Sequence, residues 1–140
     1  YAGYYSGGGG NAAAVEEGIG VVASLGADVA VHYRFPMPPT IPSGTLKLMV
    51  RGLASATTGN AKFTVSDGAV SNGSSPSAVS LTSETQSSVT WTAVDIYMDT
   101  KVTLTTAPTA NQALVVALTF NHTSWTLAAA SVWQVWVLWE

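Results

Sequence analysis

The chain has 140 residues and a mass of 14.4 kDa, a length that suits one domain whose core needs no cross-links. Charged residues make up only 9%, against about a quarter in an ordinary soluble domain, and the formal net charge is −3. With five basic residues there is no cationic stripe to neutralise phosphates, and with no cysteine there are no disulfides, thiolate metal sites or thiol nucleophiles. The apolar runs also fall far short of the roughly 20 residues that a membrane-spanning helix needs. Neither nucleic acid nor a membrane is therefore an expected partner.

Residues 1–14, YAGYYSGGGGNAAA, combine Tyr1, Tyr4 and Tyr5 with a glycine run and an alanine run. Backbone entropy opposes order in such a stretch, so it is expected to be a flexible arm that orders only against another surface, gripping it with the tyrosines. The plainer alternative is a linker remnant. Because the chain starts at Tyr1 rather than Met, upstream sequence is expected to have been removed by signal cleavage, particle maturation or design. Residues 15–140 read as one β-sandwich domain. Its first segment, VEEGIGVVASL, is apolar with Gly18 and Gly20 inside it, which points to an irregular or bulged strand.

From Val29 the alternation is regular. Val31, Tyr33 and Phe35 alternate with His32 and Arg34 until Pro36, and the proline-rich PMPPTIPSG that follows can only be an extended connection. Leu46, Leu48 and Val50 alternate with Lys47, Met49 and Arg51; Ala61, Phe63 and Val65 alternate with Lys62 and Thr64, and Asp67-Gly68 reads as the turn that ends that strand. Val70 to Gln86 is a polar loop with at most one short strand, expected near Ala78 to Leu81. A strand then runs through Val89, Trp91 and Ala93 and slips phase before Val94, Ile96 and Met98, as at a β-bulge. Val102 and Leu104 lie on one face of the next strand, Pro108 closes a turn, and Leu114, Val116, Leu118 and Phe120 share a face. No window carries a helical period with caps. The pattern predicts an all-β single-domain sandwich, jelly-roll-like, of about seven or eight strands.

Catalytic groups are sparse. His32 lies on the polar side of a strand and His122 at a strand end, both ordinary surface or turn positions. Asp95 and Asp99 share a strand face but would stand roughly 13 Å apart, too far for a general acid and base, and Glu84 has no obvious partner. The glycine run lacks the lysine of a phosphate loop, and no acidic loop has calcium-binding spacing. Asn72-Gly73-Ser74 and Asn121-His122-Thr123 match the glycosylation triplet, as chance allows in so Ser/Thr-rich a chain. No catalytic residue, metal or cofactor is expected.

The remaining feature is aromatic. Of the five tryptophans, Trp133, Trp136 and Trp139 lie on the closing strand SVWQVWVLW, which is apolar on both faces. Trp133, Val135, Val137 and Trp139 form one face; Gln134, Trp136 and Leu138 lie on the other. A sandwich covers one face of each sheet, so the second face is expected to meet another subunit, and the glutamine assigns that role to Trp136 and Leu138. The alternative is an aromatic platform for sugar rings.

The order of elements from Val29 onward resembles a group of small β-sandwich virion structural proteins of tailed bacteriophages. The likeness lies in VHYRFPMPP, in SGTLKLMVRGLAS running into the turn and strand of ATTGNAKFTVSDG, and in the terminal hydrophobic strand after a Ser/Thr-rich middle; it departs at Arg51-Gly52, where an aromatic is usual. The resemblance implies a capsid decoration (cement) or fibre-like protein, without cofactor, that binds the major capsid protein or other virion subunits as a homo-oligomer, most simply a trimer. Tyr1, Tyr4, Tyr5, Trp136 and Leu138 would be its contact residues and the virion its location. The alternatives are a carbohydrate-binding module of a tail fibre or secreted protein, and a subunit of an extracellular filament.

Overall fold

A computed structural model of the chain describes residues 3–6, 12–16, 19–23, 28–54, 61–71, 73–74, 79–84, 87–89, 98–120 and 129–140. Every regular element among them is a strand: β1 (Gly3–Ser6), β2 (Ala12–Glu16), β3 (Ile19–Ala23), β4 (Val29–Pro36), β5 (Leu46–Ala54), β6 (Ala61–Val70), β7 (Thr82–Ser83), β8 (Ser87–Val89), β9 (Met98–Thr103), β10 (Ala113–Phe120) and β11 (Ala129–Trp139). They form two antiparallel sheets. The first has the order β1-β4-β10-β6-β7, with β8 also on β6, and the second β2-β3-β11-β5-β9.

Successive long strands fall in alternate sheets, so β3, β11, β5 and β9 face β4, β10, β6 and β8. That interleaving is the jelly roll expected from the strand pattern. β1 and β2 lie in the stretch read as an arm, and each takes a sheet edge. Gly3–Ser6 pairs with β4 and Ala12–Glu16 with β3, the latter with a register shift between Ala12 and Val15. An open sheet edge offers unpaired amides and carbonyls that a glycine-rich chain can meet strand to strand.

The core follows the alternation. Val31, Tyr33 and Phe35 of β4, Leu48 and Val50 of β5, Phe63 and Val65 of β6, Leu114, Val116, Leu118 and Phe120 of β10, and Val135 of β11 are buried together between the sheets. Phe63 and Phe120 are opposite one another in the β6–β10 ladder, with tilted rings 5.7 Å apart, an edge-biased geometry that aromatic quadrupoles favour.

Two expectations need correction. Asp67-Gly68 is no turn: both residues lie inside β6, which runs on to Val70. Gly68 is needed there for close approach, because a Cβ would come within 2.7 Å of Val79 Cγ1 and 2.8 Å of the Ser80 carbonyl oxygen. The short strand of the polar loop lies at Thr82–Ser83, just beyond Ala78 to Leu81, where it can pair with Ser66 and Asp67. The phase slip before Val94 lies outside the described residues. A bulge does occur in β11, between Val132 and Gln134, so that Trp133 has no partner on β5.

The open end of the second sheet is closed by a backbone pair: Thr45 N donates to the Glu140 carbonyl at 2.6 Å, and Glu140 N returns a bond to the Thr45 carbonyl at 3.1 Å. Gly44, with φ +119°, precedes this pair, and a Cβ on it would sit 2.7 Å from the Glu140 oxygen. Only glycine meets both demands. Gly44→Ala should lower stability by roughly 1–3 kcal/mol, seen as a lower melting temperature with an unchanged β spectrum in circular dichroism.

Candidate functional site

Three places outside the ordinary core concentrate chemistry: the outer face of the second sheet, a cleft at the end of the sandwich, and a buried pair of carboxyl groups between them and the first sheet.

On the outer face, β5 lies between β9 and β11 and presents Lys47, Met49 and Arg51. Its register sets Trp136 opposite Met49, Leu138 opposite Lys47 and Gln134 opposite Arg51. On the other side Asp99 lies opposite Arg51 and Lys101 opposite Met49. The Arg51 guanidinium is held in a two-pronged pair by Asp99, Nε to Oδ1 at 2.7 Å and the second nitrogen to Oδ2 at 2.8 Å, and its carbon lies 5.2 Å from the centre of the Trp136 ring. Arg51 holds the Asp99 carboxyl below the usual aspartate range, by hydrogen bonding first and charge second. Lys101 pairs with Glu140, and Lys47 donates to Thr103 Oγ1 at 2.7 Å.

Trp136 and Leu138 thus lie, half-buried, on the face opposite the core, as their place on the strand predicts. The guanidinium lies over the Trp136 ring, where a sugar would have to stack. A sugar would have to displace a cation pinned from its other side by Asp99. Tyr4 and Tyr5 fall on β1, across from His32 and Val31; Tyr1, His122 and Asp95 lie outside the described residues. His32 is partly buried on the outer face of the first sheet, and burial lowers its pKa.

The other side of β11 leads to the cleft. Val135 is fully buried, Val137 and Trp139 pack against the core edge, and Trp139 walls an opening of about 290 Å³. Ile41 from the proline-rich connection, Leu46, Leu104, Ala107 and Pro108 make up the rest of the apolar lining, and Thr45, Thr105 and Thr106 the polar part. Nothing in the spacing announces this cleft, because its walls come from segments far apart in sequence that meet only when β5, β9 and β11 are in register.

Behind the threonines lies the carboxyl pair. Glu84 is almost fully buried; its Oε1 accepts the Thr105 N–H at 2.6 Å and the Thr105 hydroxyl at 2.5 Å. Asp67, on the core-facing side of β6, has no exposure at all, and neither of its carboxyl oxygens has a partner of hydrogen-bonding geometry. Thr106 and Glu84 are still close enough to act on its charge. Burial first, and then the neighbouring Glu84, push the Asp67 carboxyl up to about 6, against the opposing pull of Thr106. Burial also raises Glu84, but the Thr105 donors outweigh it and the net shift is downward. The two groups divide the work: Glu84 keeps its charge and Asp67 takes up a proton first.

An acid whose pKa rises on folding favours the fold while protonated, and the advantage is lost as pH climbs from the ordinary aspartate range to the folded value. The protein should therefore lose on the order of 2–3 kcal/mol through Asp67 between about pH 4 and pH 6. Asp67→Asn should remove that loss and melt above the parent at pH 7.5 in chelator-containing buffer, the gap closing near pH 4. His32 has the opposite slope, losing stability as pH falls, but it is common to both proteins, so the difference between their melting curves isolates Asp67.

No family model matches the chain, and no curated protein does. Two solved structures resemble it in fold. One is the enzymatically active domain of tailspike protein 4 of bacteriophage CBA120, with a TM-score of 0.51 and 7% identity over 87% of this chain and 15% of that one. The other is TmCBM61, solved in complex with β-1,4-galactotriose, with a TM-score of 0.46 and 8% identity over 99% of this chain and 88% of that one. The chain thus spans about a seventh of the tailspike domain it resembles. At such identities the likeness is one of fold, a β-rich architecture shared with part of a phage tailspike.

Proposed function

We propose that this chain is a non-catalytic recognition domain of a phage tail structure, which takes a saccharide in the cleft walled by Trp139. The carrying observation is the cleft itself: one indole, the aliphatic side chains of Ile41, Leu46, Leu104, Ala107 and Pro108, and three threonines line an opening at the edge of the sandwich. An indole face stacks on the apolar face of a pyranose, and hydroxyls and backbone groups beside it read the sugar's own hydroxyls. The volume is at the small end for ligand sites, which fits a terminal sugar ring better than a long chain. The virion setting rests on the resemblance of the strand and turn layout to phage β-sandwich proteins and is compatible with the fold of the tailspike domain.

A second reading is favoured by a different observation. Trp136 and Leu138 put half-exposed apolar surface in the middle of an outer sheet face, over a buried Met49 and ringed by Arg51, Asp99, Lys47 and Lys101. Apolar centre and charged rim are the anatomy of a protein contact, and with Arg51 on its ring Trp136 fits a subunit contact better than a sugar platform. On that reading the chain is a decoration protein that binds other virion subunits as an oligomer.

A glycan array separates the two. On the first reading the parent protein binds a defined set of glycans. Ala107→Arg, at an exposed residue of the cleft rim, should abolish that binding with the fold intact, and Trp139→Ala should weaken it at least tenfold. Trp136→Ser should leave it unchanged. A blank array, together with oligomers in light scattering that Trp136→Ser dissociates at a cost of roughly 2–4 kcal/mol, would replace the saccharide with a subunit as the ligand.

A further inference from the structure

The carboxyl pair behind the cleft has a chemical requirement that the protein's own groups do not meet. Asp67 is wholly buried on the core side of β6, between Val116 of β10 and Thr82 of β7 in the two ladders, and both of its oxygens lack a partner. A carboxylate in that position is among the most costly groups a core can hold, since neither oxygen accepts a hydrogen bond of good geometry and the weaker pull of Thr106 offsets only part of the desolvation. Beside it stands a second carboxylate, Glu84, whose Oε1 already takes two bonds from Thr105. Such a pair calls for a positive guest. A proton neutralises one of the two charges and serves at most the oxygen that carries it and the one it faces, whereas a divalent cation neutralises both charges and is served by several oxygens at once.

We propose that Asp67 and Glu84 bind a divalent cation of the hard, oxygen-seeking kind, calcium above all, with Thr106 as a neighbouring oxygen donor. The donor set decides the class of metal. Asp67, Glu84 and Thr106 present oxygens alone and the chain has no cysteine, so nitrogen- and sulfur-seeking metals have nothing to choose here; among the described residues no third His, Cys, Asp or Glu joins the pair, and water or backbone oxygens must complete the shell. Calcium accepts carboxylates, hydroxyls, backbone carbonyls and water in flexible numbers. With only two carboxylates the site belongs among weak sites of about 10⁻⁴–10⁻³ M, the range of extracellular modules.

The position gives the ion a structural task. Glu84 is tied to Thr105, and its amide to the Val65 carbonyl at 2.7 Å, while Thr105 and Thr106 form part of the cleft wall. An ion between Asp67 and Glu84 would fasten the cleft wall to β6 of the first sheet. The inference does not depend on the saccharide reading, because its measurement needs no ligand in the cleft.

The experiment is a melting series on the full chain at pH 7.5 in chelator, in 10 mM calcium and in 10 mM magnesium, with isothermal titration of calcium for stoichiometry. Calcium is expected to raise the parent's melting temperature by about 5 °C, to bind once per chain and to exceed magnesium. Asp67→Asn and Glu84→Gln should each lose the calcium shift, and Asp67→Asn should melt no lower than the parent in chelator, which separates a lost ligand from a broken fold. Asp99→Asn, on the surface, should keep the shift. The proposal is overturned if calcium leaves the parent's melting temperature unchanged, for then a proton is the sole guest. It is also overturned if Asp67→Asn retains the calcium shift or Asp99→Asn abolishes it.

Discussion

Leu114, Val116, Leu118 and Phe120, all without solvent exposure, make one face of β10 the keel of this molecule. β10 is the middle strand of its sheet, bonded along its whole length to β4 on one side and β6 on the other. Each of its core side chains stabilises the fold by roughly 1.5–3 kcal/mol. Whatever packs there must come from β5, β9 and β11 across the sandwich, and those strands are held at the angle and distance that the four side chains set. The cleft and the outer face are consequences of that placement: one is where β5, β9 and β11 run past the edge of the core, the other is their reverse side.

A chain with so few charges also has to decide where each of them goes. Along the outer face of the second sheet the answer is cross-strand pairing, Arg51 of β5 with Asp99 of the adjacent β9, and Lys101 of β9 with Glu140 at the end of β11, across the intervening β5. Exposed pairs of this kind contribute little stability each. Their effect is on shape: the Arg51 pair draws a guanidinium across an indole and turns a sticky aromatic into a half-covered one. The cleft has no such cover. The same strand therefore carries one tryptophan guarded by an ion pair and another that fronts an opening, two residues of identical type with different access.

The sandwich was legible in the sequence because a strand with one buried face writes its environment into every second residue. Val31-Tyr33-Phe35, Leu46-Leu48-Val50 and Leu114-Val116-Leu118-Phe120 all do so, and the core is made from them. Legibility failed where a residue's role depends on what crosses it in space. Asp67-Gly68 has the composition of a turn, and only the passage of residues 79–81 over Gly68 explains a glycine in mid-strand. Trp136 and Trp139 could be assigned to opposite faces, but neither the guanidinium on the first nor the opening beside the second follows from spacing. Asp67 and Glu84 are seventeen positions apart in sequence and carry no motif; β6 and the segment after β7 bring them together. Glycine-rich segments at the beginning have no side-chain pattern from which a sheet edge could be read.

The interleaving of strands between the two sheets also governs how the molecule comes to exist. No two consecutive long strands from β3 to β6, or from β9 to β11, pair with each other: β5 finds its neighbours in β9 and β11, and β4 finds β10 only after most of the chain has been made. The local pairings, β2 with β3 and β6 with β7, lie toward the sheet margins, so for the long strands the entropy of closing large loops must be spent before their ladders are rewarded. Such topologies form in milliseconds to seconds rather than microseconds. During that interval the alternating apolar faces stand open to one another's copies, and the scarcity of charge leaves little repulsion to keep the copies apart.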